Sequence, residues 1–196
     1  YIFLTAAGFY NQKVFDKFKE VVFFIKAKRA VIITTASKGK EKNKYSRLAL
    51  KQLKSMNLVV DLYDFEKDGY KDLSLYDVVY VCGGNSFKLL KYAKEMNFRK
   101  EIKFIFKKNG IYFGVSAGSV ILGPSIKIAE EVNPDVNKAG LRDLRGLNII
   151  DFVIFPHYEK KYKDDINKFE RKYGKKVVRL TNNEALIINN NRIKTI

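Results

Sequence analysis

The chain has 196 residues, 46% of them hydrophobic, which suits one domain with a well-buried core spanning 1–196 and leaves too little for a second. No apolar run approaches the ~20 residues that cross a bilayer, and the opening Tyr1-Ile2-Phe3-Leu4 is too short for a signal peptide, so a soluble, cytoplasmic protein without membrane partners is expected. The formal net charge of +17 comes from lysines spread from Lys13 to Lys194 among Asp and Glu, a pattern of solvated faces that argues against a nucleic-acid tail but is compatible with acidic substrates.

Residues 2–4 open the chain as a short apolar strand, and Asn11 then suits the start cap of a helix whose inner face is Val14, Phe18, Val21, Val22 and Ile25. A strand over residues 30–33 is followed by a second helix with Tyr45, Leu48, Ala49, Leu53 and Met56 at helical spacing and Asn57 as its end cap. Strands at 58–60 and 78–81 precede a helix marked by Leu89, Leu90 and Tyr92, and the strongest strand run covers 111–115. Residues 123–148, with Pro124, Pro134, Gly140 and Gly146, are the least regular stretch and are expected to form a surface excursion near the site. After a strand at 152–155, Tyr162, Ile166, Phe169 and Tyr173 share a helical face that stops at Gly174, and strands at 177–178 and 185–188 complete the pattern. Uniformly apolar strands alternating with helices predict a three-layer α/β fold, helices on both faces of a mostly parallel sheet. There is no internal repeat, low-complexity tract or linker.

Gly114-Val115-Ser116-Ala117-Gly118 directly follows the strongest strand and reads as a G-x-S-x-G elbow. Glycines flank the serine because a Cβ on either side would meet neighbouring backbone, and the bend puts Ser116 where a helix begins. Free N–H groups there, Ala117 first among them, can hold a developing oxyanion. A serine hydroxyl usually needs a base, and His157 is the chain's one imidazole. It falls at the carboxyl end of a buried strand, the edge at which open α/β sheets build their sites.

Cys82-Gly83-Gly84-Asn85-Ser86-Phe87 also follows a strand and precedes a helix. Its glycines admit close approach of a substrate, and the Gly84 N–H is a natural second oxyanion donor. A phosphate-binding turn is the other reading of this segment, although Rossmann spacing and a Walker lysine are both absent. Cys82 itself reads as a small buried residue closing the strand. With one cysteine and one histidine, neither an internal disulfide nor a Cys/His zinc cluster can form, and no metal ion or organic cofactor is expected.

Together, Leu4-Thr5-Ala6-Ala7, Gly83-Gly84-Asn85-Ser86-Phe87, Gly114-Val115-Ser116-Ala117-Gly118-Ser119 and Phe155-Pro156-His157-Tyr158 resemble the peptidase E family. These are serine-type aspartyl dipeptidases related to cyanophycinases and, distantly, to class I glutamine amidotransferases. The resemblance implies their flavodoxin-like architecture, Ser116 as nucleophile, His157 as general base, and an oxyanion hole made by the Gly84 and Ala117 amides. It places the third catalytic member after the histidine, within Leu180-Thr181-Asn182-Asn183-Glu184-Ala185-Leu186, where relatives carry an acidic residue. Here the candidates are Asn182 and Glu184. The family's glycine is replaced by Cys82, and its arginine after the histidine motif by Lys160, Lys161 and Lys163. Contacts to a short peptide substrate are expected from these lysines and from Asn85. A homo-oligomer is compatible with the sequence. The reading from another class is a non-catalytic binding protein on the same scaffold, for a small anion or nucleic acid, and a third keeps the site with an ester substrate.

Overall fold

A computed structural model describes residues 1–132, 135–190 and 192–196. In chain order the elements are β1 (Ile2–Thr5), α1 (Gln12–Phe24), β2 (Arg29–Ile33), α2 (Lys44–Lys54), β3 (Val59–Tyr63), β4 (Val78–Val81), α3 (Ser86–Glu95), α4 (Phe98–Lys107), β5 (Ile111–Val115), α5 (Ala117–Val120), α6 (Ile128–Glu131), β6 (Val153–Pro156), α7 (Lys163–Tyr173), β7 (Val177–Leu180), β8 (Ala185–Asn189) and β9 (Arg192–Thr195). Seven strands form one sheet in the order β3-β2-β4-β5-β1-β8-β9. The first five run parallel, while β8 is antiparallel to β1 and β9 to β8. No described helix is long and apolar enough to cross a membrane.

The sheet is covered on both faces. On one, Val14, Phe18, Val21 and Val22 of α1 and Ala49 and Leu53 of α2 pack on Phe3, Ile32, Tyr80 and Phe113. On the other, α3 and α4 bury Phe87, Leu90, Ile102 and Ile105 in one cluster with Leu4, Ile33, Val81 and Tyr112, and that cluster extends to Ile166 and Phe169 of α7. A strand read by both layers must be apolar at consecutive positions, which is why β2, β4 and β5 are nearly unbroken hydrophobic runs. Asn11 caps α1 by accepting from the Lys13 N–H at 2.9 Å, and Gly174 ends α7 at φ 59.

Several boundaries differ from the sequence reading. The second helix stops at Lys54, and Asn57 instead takes the left-handed turn beyond it at φ 61. Tyr45 and Leu48, expected on its inner stripe, are exposed, leaving Ala49, Leu53 and Met56 inside. β3 continues to Tyr63 through Asp61, and β7 through Arg179 to Leu180, because ladder pairing carries a strand past a polar residue. Two further elements, α4 and β9, lie outside the pattern read from sequence. α4 has a buried stripe, Phe98, Ile102 and Ile105, while β9 is exposed at every residue and exists by pairing with β8. β6 and β7 do not join the main sheet; they pair parallel with each other. The excursion at 123–148 contains α6 and a Ser125–Arg145 bridge, and Pro134 lies outside the described residues.

At the carboxyl end of β5 the sheet is bolted to the first turn of α5. Thr5 donates its N–H to Ser119 Oγ at 3.0 Å and its hydroxyl to the Gly114 carbonyl at 3.0 Å. Ser119 Oγ in turn lies 2.9 Å from both the Thr5 and Gly114 carbonyls. Both residues are buried. Replacing Ser119 by Ala strands a buried N–H, so we expect Ser119→Ala to lower unfolding free energy by about 1–3 kcal/mol, read from the urea midpoint at unchanged slope. A midpoint within error of the parent's would contradict that role for the hydroxyl.

Candidate active site

Ser116 sits at φ 49 and ψ −110, between β5 and α5. Its N–H is committed to the Thr5 carbonyl at 2.8 Å, while its own carbonyl accepts from Ser119 and Val120 at 2.8 and 3.0 Å. The chain therefore bends sharply and presents the hydroxyl outward. The flanking glycines are required by backbone, since a Cβ on Gly114 would lie 2.7 Å from the Gly118 carbonyl and one on Gly118 2.6 Å from the Val81 carbonyl.

The imidazole arrives from the small sheet. The register of β6 on β7 sets Pro156 opposite Leu180, and Tyr158 N–H continues the ladder to the Leu180 carbonyl at 3.0 Å. The residues after both strands are thereby neighbours. His157, itself at φ 56, points Nε2 at Ser116 Oγ, 3.1 Å away, and Nδ1 at Asn182 Oδ1, 2.7 Å away. An amide oxygen only accepts, so the Nδ1 position carries the proton and Nε2 turns its lone pair toward the serine hydroxyl. Ser116 and His157 are half-buried and Asn182 is exposed.

Of the two candidates in that segment, only Asn182 touches His157. Glu184 closes the turn beneath it, with Oε2 accepting from the Thr181 N–H at 2.8 Å and the Thr181 hydroxyl at 2.7 Å. Asn11, the cap of α1, reaches the same turn by donating to the Asn183 carbonyl at 2.7 Å. Neither support is visible in the sequence, where Asn11 is fully explained by capping.

Gly84 has φ 140, and a Cβ there would meet the Ala36 carbonyl at 1.9 Å, so this turn admits no side chain. Among the described residues the Gly84 and Ala117 N–H groups make no hydrogen bond. The turn is held by Asn85 N–H on the Ala36 carbonyl at 3.1 Å and by the Ser37 hydroxyl on the Gly83 carbonyl at 2.9 Å. Asn85 spends its side chain on structure: the oxygen caps α3 through Lys88 N–H at 2.9 Å, and the amide nitrogen donates to the Val136 carbonyl at 2.9 Å. Beside it, Asp135 accepts from Ser86 N–H at 2.8 Å, which docks the excursion against this turn. Asp135 has no sequence signal beyond its place in an irregular stretch.

Burial pushes the Cys82 thiol up to about 11, opposed by hydrogen bonds from Ser46 and Ser37, so it is protonated at neutral pH. Lys160, Lys161 and Lys163 are exposed on the segment following His157, with Lys161 paired to Glu159 at 3.0 Å. Two surface clefts of about 590 and 660 Å³ border the start of α4 and contain neither Ser116 nor His157. Among the described residues no three His, Cys, Asp or Glu side chains converge as a metal-ligand set.

An uncharacterized peptidase of Listeria monocytogenes is 28% identical over 201 residues, covering 99% of this chain and 97% of its own. One from Pasteurella multocida is 30% identical over 149 residues, 74% of this chain and 72% of that one. Peptidase E of Escherichia coli is 33% identical over 82 residues, 42% of this chain and 34% of its own length. Among solved structures, a candidate peptidase E from Listeria monocytogenes superposes with a TM-score of 0.75 at 28% identity, over 100% of this chain and 96% of that one. A peptidase from an acI-B1 actinobacterium shares the fold, with a TM-score of 0.71 at 18% identity over 94% of this chain and 81% of that one. The profile of peptidase family S51 matches residues 2–196, the stretch that holds every element of the serine, histidine and glycine geometry described above, and the chain belongs to that family.

Proposed function

We propose that this member of a peptidase family is a serine-type enzyme that cleaves short peptides through an acyl-enzyme, with Ser116 as nucleophile, His157 as base and Asn182 as the residue that orients the imidazole. The observation that carries this reading is the continuous contact Ser116 Oγ–His157–Asn182, at 3.1 and 2.7 Å, together with two N–H groups that, among the described residues, are free to donate to a developing oxyanion.

Ser116 Oγ attacks the scissile carbonyl carbon while its proton passes to His157 Nε2. The negative oxygen so formed is held by the Gly84 and Ala117 N–H groups. Collapse breaks the C–N bond, and the departing amine takes the proton from Nε2. Water then adds to the ester carbonyl, giving its proton to His157, and rupture of the C–Oγ bond returns that proton to the serine. In this scheme Asn182 fixes which ring nitrogen is protonated, but, being neutral, it cannot balance the imidazolium charge. A slow enzyme is the consequence. Lys160, Lys161 and Lys163 would attract an acidic peptide, as single charges and without the bidentate grip of arginine.

Intact mass after fluorophosphonate treatment tests the nucleophile. One adduct on the native chain and none on Ser116→Ala is expected; an unmodified native chain would leave a binding protein on this scaffold. Asn182→Asp keeps the hydrogen bond and supplies the missing charge, so kcat should rise by roughly tenfold or more, whereas Asn182→Ala should lower it by about tenfold or more. Equal turnover in all three chains would remove Asn182 from the mechanism. A panel of Asp-X, Glu-X and neutral dipeptides should favour the acidic N-termini, and equal rates across it would count against that preference.

A further inference from the structure

The turn that carries Gly84 N–H is gripped from both sides by segments that meet at one carboxylate. Upstream, the loop after β2 supplies the Ala36 carbonyl and Ser37 hydroxyl that hold residues 83–85. Further along the same loop, Lys40, at φ 51, turns back and pairs through Nζ with Asp64 and Glu66 from the loop after β3. Downstream, α3 leaves the turn at Ser86, and its first two turns present Lys88 and Tyr92 to the same Glu66, at 2.8 and 2.9 Å. Glu66 thus closes a ring that runs from Gly84 through α3 to its own side chain, then through Lys40 and the Ala36–Ser37 segment back to Gly84.

We propose that Glu66 is a positioning residue for the oxyanion hole: by clamping Lys40 on one side and Lys88 and Tyr92 on the other, it fixes the direction of the Gly84 N–H. The proposal rests on the serine-hydrolase reading above. Three observations favour it over a surface ion pair with no consequence. Asp64 is buried and the Lys40 side chain is only 13% exposed, so that end of the network is shielded from bulk screening although Glu66 itself lies at the surface. The network ties the loop after β2, the loop after β3 and α3 together, so it fixes their relative placement. The turn it holds has no side chain of its own at Gly84 to lock it, and it sits where a donor displaced by ~1 Å costs catalysis heavily. Hydrogen bonds from Lys40, Lys88 and Tyr92 hold the Glu66 carboxyl down to about 2. A depressed carboxylate stabilises above its ordinary range and that stability is lost only as pH falls through the lowered value, so the clamp stays charged at neutral pH.

The test uses the full chain and reads chemistry and geometry separately. In Glu66→Gln, kcat for a short peptide and the rate of fluorophosphonate addition to Ser116 should both fall by about tenfold, with KM within about twofold and Glu66→Asp recovering much of the loss. Amide hydrogen exchange at residues 83–86 should quicken in Glu66→Gln and not at residues 114–117. Tyr92→Phe, which removes one hydrogen bond and no charge, should lower the addition rate by a smaller factor of about threefold. A folded Glu66→Gln chain with parental addition rate and exchange, or parental rates in Tyr92→Phe should the former not fold, would overturn the clamp. If the parent itself takes no adduct on Ser116, the hydrolase reading fails, and exchange at residues 83–86 still decides whether Glu66 orders the turn.

Discussion

The backbone of Ser116 is held at φ 49, where a side chain costs roughly 1–3 kcal/mol unless its surroundings enforce it. The enforcement comes from Thr5 and Ser119, whose hydrogen bonds to each other and to the Gly114 carbonyl knit β1, the end of β5 and the start of α5 into one buried knot. Because Thr5 takes the Ser116 N–H, the next free donor in line is that of Ala117. The strained bend thus does two things at once. It lifts the hydroxyl clear of the sheet edge, and it leaves an unpaired N–H beside it.

Across from this knot, the imidazole is set by neutral chemistry. The amide of Asn182 dictates the tautomer of His157, and the turn that carries it is fixed by a carboxylate, Glu184, that never touches the ring. Orientation and charge compensation are usually one residue's work; here the nearby carboxylate is spent on holding the orienting residue still.

Much of this is legible in the sequence because it rests on short-range rules. Uniformly apolar runs identify the central strands, and the spacing of Val14, Phe18, Val21 and Val22 identifies α1. Gly114 and Gly118 announce the bend because no other residue fits against Val81 and each other. What cannot be read is anything decided by pairing between distant segments. Asn182 and Glu184 are two residues apart, and only the β6–β7 register and the Thr181 hydrogen bonds separate their roles. β9 carries no apolar signal, and Tyr45 and Leu48 satisfy a helical period that the packing does not use. Asn85 combines a motif position with a capping preference, and its side chain serves the cap.

Ser116 and Gly84 ride on the seven-stranded sheet, whereas His157 and Asn182 ride together on the separate β6–β7 pair. The contact from Nε2 to Oγ therefore spans two sheets, and the Asn11 bond to the Asn183 carbonyl, at 2.7 Å, ties the Asn182 turn back to α1. A small shift of one sheet against the other would part Nε2 from Oγ while leaving the Asn182 contact and the Ser116 bend intact.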